Sequence, residues 1–234
     1  MAASKVARMQ AFMGEFCALR EARRGARLGA MEEFLDEFEE THRRVWRTRV
    51  DFNVFRLLGV WATEASHSRV LAWLLGAESG HGQGVLFMRA FTELCDLDIP
   101  VSALDRYSVR TEFPGEESII DVMVSRRGEF LVYLENKVYA EEGPNQVDRE
   151  YRDMERHGAA LGVPPARQYA IFLTPYGRAP VSGDAARWKT LSYGQVAAEF
   201  ATKLPTVSCD RVRLVVEDWV KTIARIGGAC ELVI

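Results

Sequence analysis

The sequence predicts an α/β fold in which helices flank a mixed central sheet. Two runs rich in Val, Ile, Leu and Tyr, residues 118–125 and 130–138, are joined by the polar turn Arg126-Arg127-Gly128-Glu129, the pattern of a β-hairpin. A helical stretch then leads to a further strand, RQYAIFLT at 167–174. Strands joined first by turns and then through a helix give a sheet with both antiparallel and parallel neighbours.

Taken in order, residues 4–50 read as a helical hairpin. Val6, Met9, Phe12, Met13, Phe16 and Leu19 recur at three- and four-residue spacing, and Met31, Phe34, Leu35, Phe38, Val45 and Trp46 do so again after a break between Gly25 and Gly29. Arg20, Arg23, Arg24 and Arg27 cluster where the first helix would end, and Glu32, Glu33, Asp36, Glu37, Glu39 and Glu40 line the outer face of the second. The arginines suit a solvated helix end, with phosphate contact as the other use. The division predicted is a helical extension, 1–50, and a main domain, 51–234.

Within 53–75 the second part is a helix that buries Val70, Leu71, Trp73, Leu74 and Leu75, with Glu64, His67 and Ser68 on one face at i, i+3 and i+4. Residues 84–94 form another helix. A strand follows at 107–113, in which Val109, Thr111 and Phe113 alternate with Arg110 and Glu112. After the hairpin, Asn145 is placed to cap a helix running to about Leu161. Residues 188–192 add an edge strand, Ser192 caps a helix to Lys203, and Asp210 caps another to Ile226, ended by Gly227-Gly228.

Composition bounds the function. Of 234 residues, 48% are hydrophobic and 27% charged, ordinary for a globular chain with a sizeable core. No apolar run spans a bilayer and the first residues, MAASKVARMQ, carry no signal-peptide core, so a cytoplasmic location with no membrane partner is expected. Cys17, Cys95, Cys209 and Cys230 are scattered, which argues against a structural zinc site and for reduced, mostly buried thiols. His67 and His81 lack a nearby cysteine pair, and adjacent His67 and Ser68 point about 100 degrees apart on a helix, so zinc binding and a Ser–His nucleophile are both disfavoured. His67 and Ser68 are better suited to hydrogen bonds that fix the helix or its acids. The net charge of −3 is unlike the basic footprint of most nucleic-acid binders, though a local basic surface can coexist with it.

The chemistry concentrates in the hairpin. Asp121 lies early in its first strand, and Glu135 and Lys137 end the second, two residues apart and therefore on one face, while Asn136 points to the other. Two acids and a lysine on central strands carry a desolvation penalty that a bound divalent cation relieves. Asp121 and Glu135 offer the hard oxygen ligands magnesium prefers, and Lys137 is placed to orient the attacking water or to stabilise charge on a phosphate.

Asp121, thirteen intervening residues, then Glu135-Asn136-Lys137 resembles the motif of the PD-(D/E)XK nuclease superfamily. The longer strings Ile120-Asp121-Val122-Met123-Val124 and Leu134-Glu135-Asn136-Lys137-Val138 resemble an uncharacterised bacterial branch of it. So do Glu64 with its following LAWLL and the turn His81-Gly82-Gln83-Gly84. The resemblance implies a restriction-endonuclease-like αβββαβ core. It implies Mg²⁺ (or Mn²⁺) held by Asp121, Glu135, the backbone carbonyl of Asn136 and Glu64, with Gln146, at the start of the following helix, reaching the site. A tyrosine usually stands four residues after that glutamine; here Glu150 does. The function implied is a nuclease hydrolysing nucleic acid, DNA foremost, as an endonuclease in defence against foreign DNA. The alternative is a non-catalytic nucleic-acid-binding or protein-interaction module on the same fold. The N-terminal helices are expected to serve a homodimer or a protein partner.

Overall fold

The computed structural model describes residues 2–48 and 52–228. The chain divides into two units, Met1–Phe52 and Asn53–Ile234. The first is one uninterrupted helix, α1 (Ala2–Thr48), and not the expected hairpin. Gly25 and Gly29 sit in helical backbone, and a glycine inside a helix costs only about 1 kcal/mol, too little to end one flanked by good helix formers. The side chains of Val6, Val45 and Trp46 lie outside the described residues.

The second unit begins with Asn53, whose side chain accepts from the N–H groups of Phe55 and Arg56 and so caps the short helix α2 (Val54–Leu57). Helices α3 (Glu64–Leu75) and α4 (Leu86–Leu94) follow. The strands are β1 (Ser108–Pro114), β2 (Ile119–Arg126) and β3 (Phe130–Asn136), with Gly128 taking the positive φ that the β2–β3 turn requires. Helix α5 (Gln146–Leu161) crosses to β4 (Gln168–Thr174), and then come β5 (Lys189–Ser192), α6 (Tyr193–Ala201) and α7 (Asp210–Ile226). Ser192 forms the expected cap as a full capping box with Gln195. Asn145 does not: it adopts a left-handed conformation without a side-chain cap bond, and α5 is closed instead by its own Gln146 side chain, which accepts from the N–H of Gly143.

The five strands lie in sequence order, with β1–β2 and β2–β3 antiparallel and β3–β4 and β4–β5 parallel. Side-chain alternation sorts the central strands between two cores. Val122, Val124, Val132 and Leu134 join residues of α3, α4, α6 and α7 on one face, while Met123, Leu131 and Tyr133 pack with Val147 and Met154 of α5 on the other. Every residue of β3 is buried, as befits the middle strand of a sheet covered on both sides.

Three cysteines are described: Cys95 is buried, but Cys17 and Cys209 are exposed, contrary to the expectation of mostly buried thiols. The position of Cys230 lies outside the described residues.

Candidate active site

The site forms where β2 begins and β3 ends, on the α5 side of the sheet. Its first strand is held by a local device: Asp153 of α5 accepts hydrogen bonds from the N–H groups of Glu116 (3.1 Å) and Glu117 (3.0 Å) and from the Ser118 hydroxyl (2.6 Å). Gly115 passes so close to this carboxylate that a Cβ there would collide with it. Glu117 itself pairs with Arg152 and Arg156, so it acts as a surface ion-pair partner and not as part of the site. These contacts set the start of β2 and hence Asp121.

The continuing β2–β3 register brings Asp121 beside the end of β3, where its Oδ2 accepts from the Asn136 N–H at 2.8 Å. Glu135 Oε1 receives Lys137 Nζ at 3.0 Å and Gln146 Nε2 at 2.6 Å. Asp121, Glu135, Lys137 and Gln146 thus meet in one cluster. The same Gln146 amide donates to Glu150 Oε1 at 2.7 Å. Glu150 is buried and belongs to the cluster, although the motif alone does not announce it. Its signal in the sequence is the four-residue spacing from Gln146, which places both on one face of α5.

Glu64 approaches from α3. Its Oε1 gathers the N–H groups of Val138 (2.7 Å), Tyr139 (3.3 Å) and Ala140 (3.1 Å), so it fixes the loop that leaves β3 immediately after Lys137. Its charge also acts on Asp121 and on Lys137. Asn136 turns its side chain away from the acids, into a buried network with the Ser68 hydroxyl (3.0 Å), the Glu64 carbonyl (3.2 Å) and the Tyr193 hydroxyl (2.6 Å). His67 accepts from Trp219 Nε1 at 3.2 Å through Nδ1 and donates to the Trp61 carbonyl at 2.8 Å through Nε2. Ser68 and His67 therefore tie α3 to β3, α6 and α7, and neither is paired as a nucleophile with its base.

The electrostatics are those of crowded, dehydrated acids. Burial pushes Asp121 up to about 6 against the opposing pull of the Asn136 N–H and Lys137, and pushes Glu150 up to about 7. Burial, with the charges of Asp121 and Glu150, likewise raises Glu135 well above the usual carboxylate range. Burial pulls Lys137 down, but Glu135, Glu64 and Asp121 outweigh it, so its ammonium holds its proton more firmly than usual.

Two carboxylate oxygens in this cluster, Glu135 Oε2 and Glu150 Oε2, are buried without a hydrogen-bond partner. Orphaned acceptors among mutually repelling acids fit a hard cation. Among the described residues no three His, Cys, Asp or Glu side chains are grouped closely enough to hold a metal by themselves. A divalent cation held there would complete its shell with backbone oxygen and water.

A family model for the PD-(D/E)XK nuclease superfamily matches residues 52–211. The chain belongs to that superfamily. Its mixed five-stranded sheet flanked by helices accords with the superfamily's fold, and membership carries nuclease-type phosphodiester hydrolysis, a divalent metal and a nucleic-acid substrate as the general activity. No curated protein and no solved structure matches the chain. Among the described residues no helix of this PD-(D/E)XK protein is long and apolar enough to cross a membrane.

Proposed function

We propose that this superfamily member is a Mg²⁺- or Mn²⁺-dependent DNA endonuclease whose metal is held by Asp121 and Glu135, with the Asn136 main chain and Glu64 assisting. The observation that carries the reading is the cluster of half-buried Asp121 with buried Glu135 and Glu150 around one lysine, with two of its carboxylate oxygens unpartnered. A divalent cation bound there supplies positive charge against the scissile phosphate.

The chain's own groups do the rest. Lys137, held by Glu135 at 3.0 Å, keeps its proton on Nζ and uses that charge to orient the attacking water and to offset negative charge growing on the phosphate. Gln146 donates to both Glu135 and Glu150 and so fixes the angle between α5 and β3 at the site. Glu64 holds the loop after Lys137, which keeps the ammonium from swinging away. Defence against foreign DNA is the setting we propose, with a cytoplasmic location to match.

We also propose that α1 pairs with α1 of a second copy, antiparallel. At about 100 degrees per residue, Met9, Phe12, Met13 and Phe16 share one side of the helix with Leu28, Met31, Leu35 and Phe38. All eight are exposed. Arg20, Arg23, Arg24 and Arg27 interrupt this stripe at its middle, while Glu33, Asp36 and Glu37 fall on the opposite side of the helix. An antiparallel pair crossing near Ala30 keeps the arginine clusters of the two helices apart, whereas a parallel pair would lay one on the other.

The test of the catalytic reading is incubation of the full chain with supercoiled plasmid and with linear single- and double-stranded DNA and RNA, with Mg²⁺ or Mn²⁺ and with EDTA. Metal-dependent nicking or linearisation of plasmid is expected. Cutting of RNA alone would overturn the DNA assignment, and removal of nucleotides only from linear ends would overturn the endonuclease assignment.

A further inference from the structure

Beside the catalytic cluster, on the α2 and α7 side, a concavity of about 140 Å³ is lined by Arg56, Trp61, Tyr139, Thr222, Arg225 and Ile226. Nothing in the hydrolytic chemistry uses these residues, yet each wall is tied to an element of the site. Tyr139 follows Lys137 by two residues, and its N–H rests on the Glu64 carboxylate at 3.3 Å. The Trp61 carbonyl is held by His67, on the same helix as Glu64. Arg56 lies on α2, which Asn53 fastens to α7 through the Asp218 carbonyl (2.8 Å) and Thr222 (3.0 Å), and Thr222 is itself part of the pocket floor.

The composition of the pocket is specific. Trp61 and Tyr139 keep 44% and 67% of their surface exposed, unusual for large rings on anchored backbone, and two guanidinium groups share the pocket with them in a chain of net charge −3. Exposed rings next to arginines make a stacking platform for bases flanked by contacts for phosphates. We propose that this pocket takes one unpaired nucleobase next to the scissile phosphate, stacked against Trp61 and Tyr139, with Arg56 and Arg225 on the adjoining backbone phosphates. The proposal rests on the nuclease reading for its substrate class and adds that the strand is unstacked where it enters the site.

The test is fluorescence-anisotropy binding of a short single-stranded DNA to the full chain carrying Asp121→Ala, which leaves the oligonucleotide intact. Trp61→Ala and Tyr139→Ala in that background are expected to weaken binding roughly tenfold or more, the scale of a lost base–aromatic stack. Trp61→Phe and Tyr139→Phe keep a ring and should stay within about threefold of the parent. On a fully abasic strand of equal length, the alanine variants should bind as the parent does. Alanine variants that hold the normal strand as tightly as the parent, or that lose as much affinity for the abasic strand, overturn the proposal. If wild type cuts DNA and the alanine variants bind unchanged, the pocket falls and the nuclease stands; if binding needs both rings while wild type cuts nothing, the pocket stands and the catalytic reading falls.

Discussion

At the scale of single residues, the site is a set of charges that the fold holds against their preference. Asp121 at about 6 and Glu150 at about 7 stand above the value of about 4 that carboxylates have in an unfolded chain. Raised folded values mean that the native state binds more protons than the unfolded state between those limits. The stabilising contribution is complete below about pH 4 and is lost as pH rises through about 6 to 7. The metal-free chain should therefore melt roughly 5 °C lower at pH 8 than at pH 5.5 in calorimetry, with Asp121→Asn combined with Glu150→Gln flattening the difference. Mg²⁺ should raise the melting temperature more at pH 8, where protons no longer compete for the carboxylates. Asn136 makes a different prediction, because its side chain works on the far face. Asn136→Ala strands the Tyr193 hydroxyl and should cost about 2–3 kcal/mol in urea unfolding, while Ser68→Ala costs less. Asp121, Glu135 and Lys137 are legible in the sequence because strand alternation fixes which face each takes. Glu150 is not, since α5 carries Asp148, Asp153 and Glu155 as well and only its docking on the sheet decides which acid is buried at the site.

Elements show where local signals suffice. The β-hairpin, β4, β5 and α7 follow directly from two-residue and 3.6-residue apolar spacing, and the Ser192 cap from a serine followed at N3 by glutamine. Helix α1 reads as a hairpin because two glycines and an arginine cluster interrupt its apolar stripe, yet neither requires a turn. No heavy atom approaches a Cβ built at Gly25 or Gly29, and neither glycine has positive φ. Gly25→Ala and Gly29→Ala should each stabilise the helix by about 1 kcal/mol, visible as a higher midpoint for the helical signal in thermal circular dichroism. A turn between those residues would make the same changes destabilising. The exposed apolar stripe of α1 predicts that the chain sediments as a dimer in analytical ultracentrifugation. A monomeric parent would contradict the antiparallel pairing.

At the scale of the whole molecule, one sheet sorts two kinds of work. The face toward α3, α4, α6 and α7 carries the larger core and the Ser68–Asn136–Tyr193 network that fixes β3, while the face toward α5 carries the acids and the lysine. The end of β3 connects them, with Asn136 facing one way and Glu135 and Lys137 the other, so that the stability of one layer sets the geometry of the other. From α3 onward the order of strands and helices is readable because each element speaks through its own periodicity. Glu64 as the clamp on residues 138–140 was not, because contacts across more than seventy residues appear only when the layers close. The most direct test of the site is the rate of plasmid cleavage as Mg²⁺ is titrated, compared among wild type, Glu135→Gln and Lys137→Ala, each first shown to fold by circular dichroism. Saturable, EDTA-reversible cutting by wild type and a loss of at least about a hundredfold in both variants are expected. Cutting that persists in folded Glu135→Gln and Lys137→Ala, or that ignores the metal, would contradict the catalytic reading.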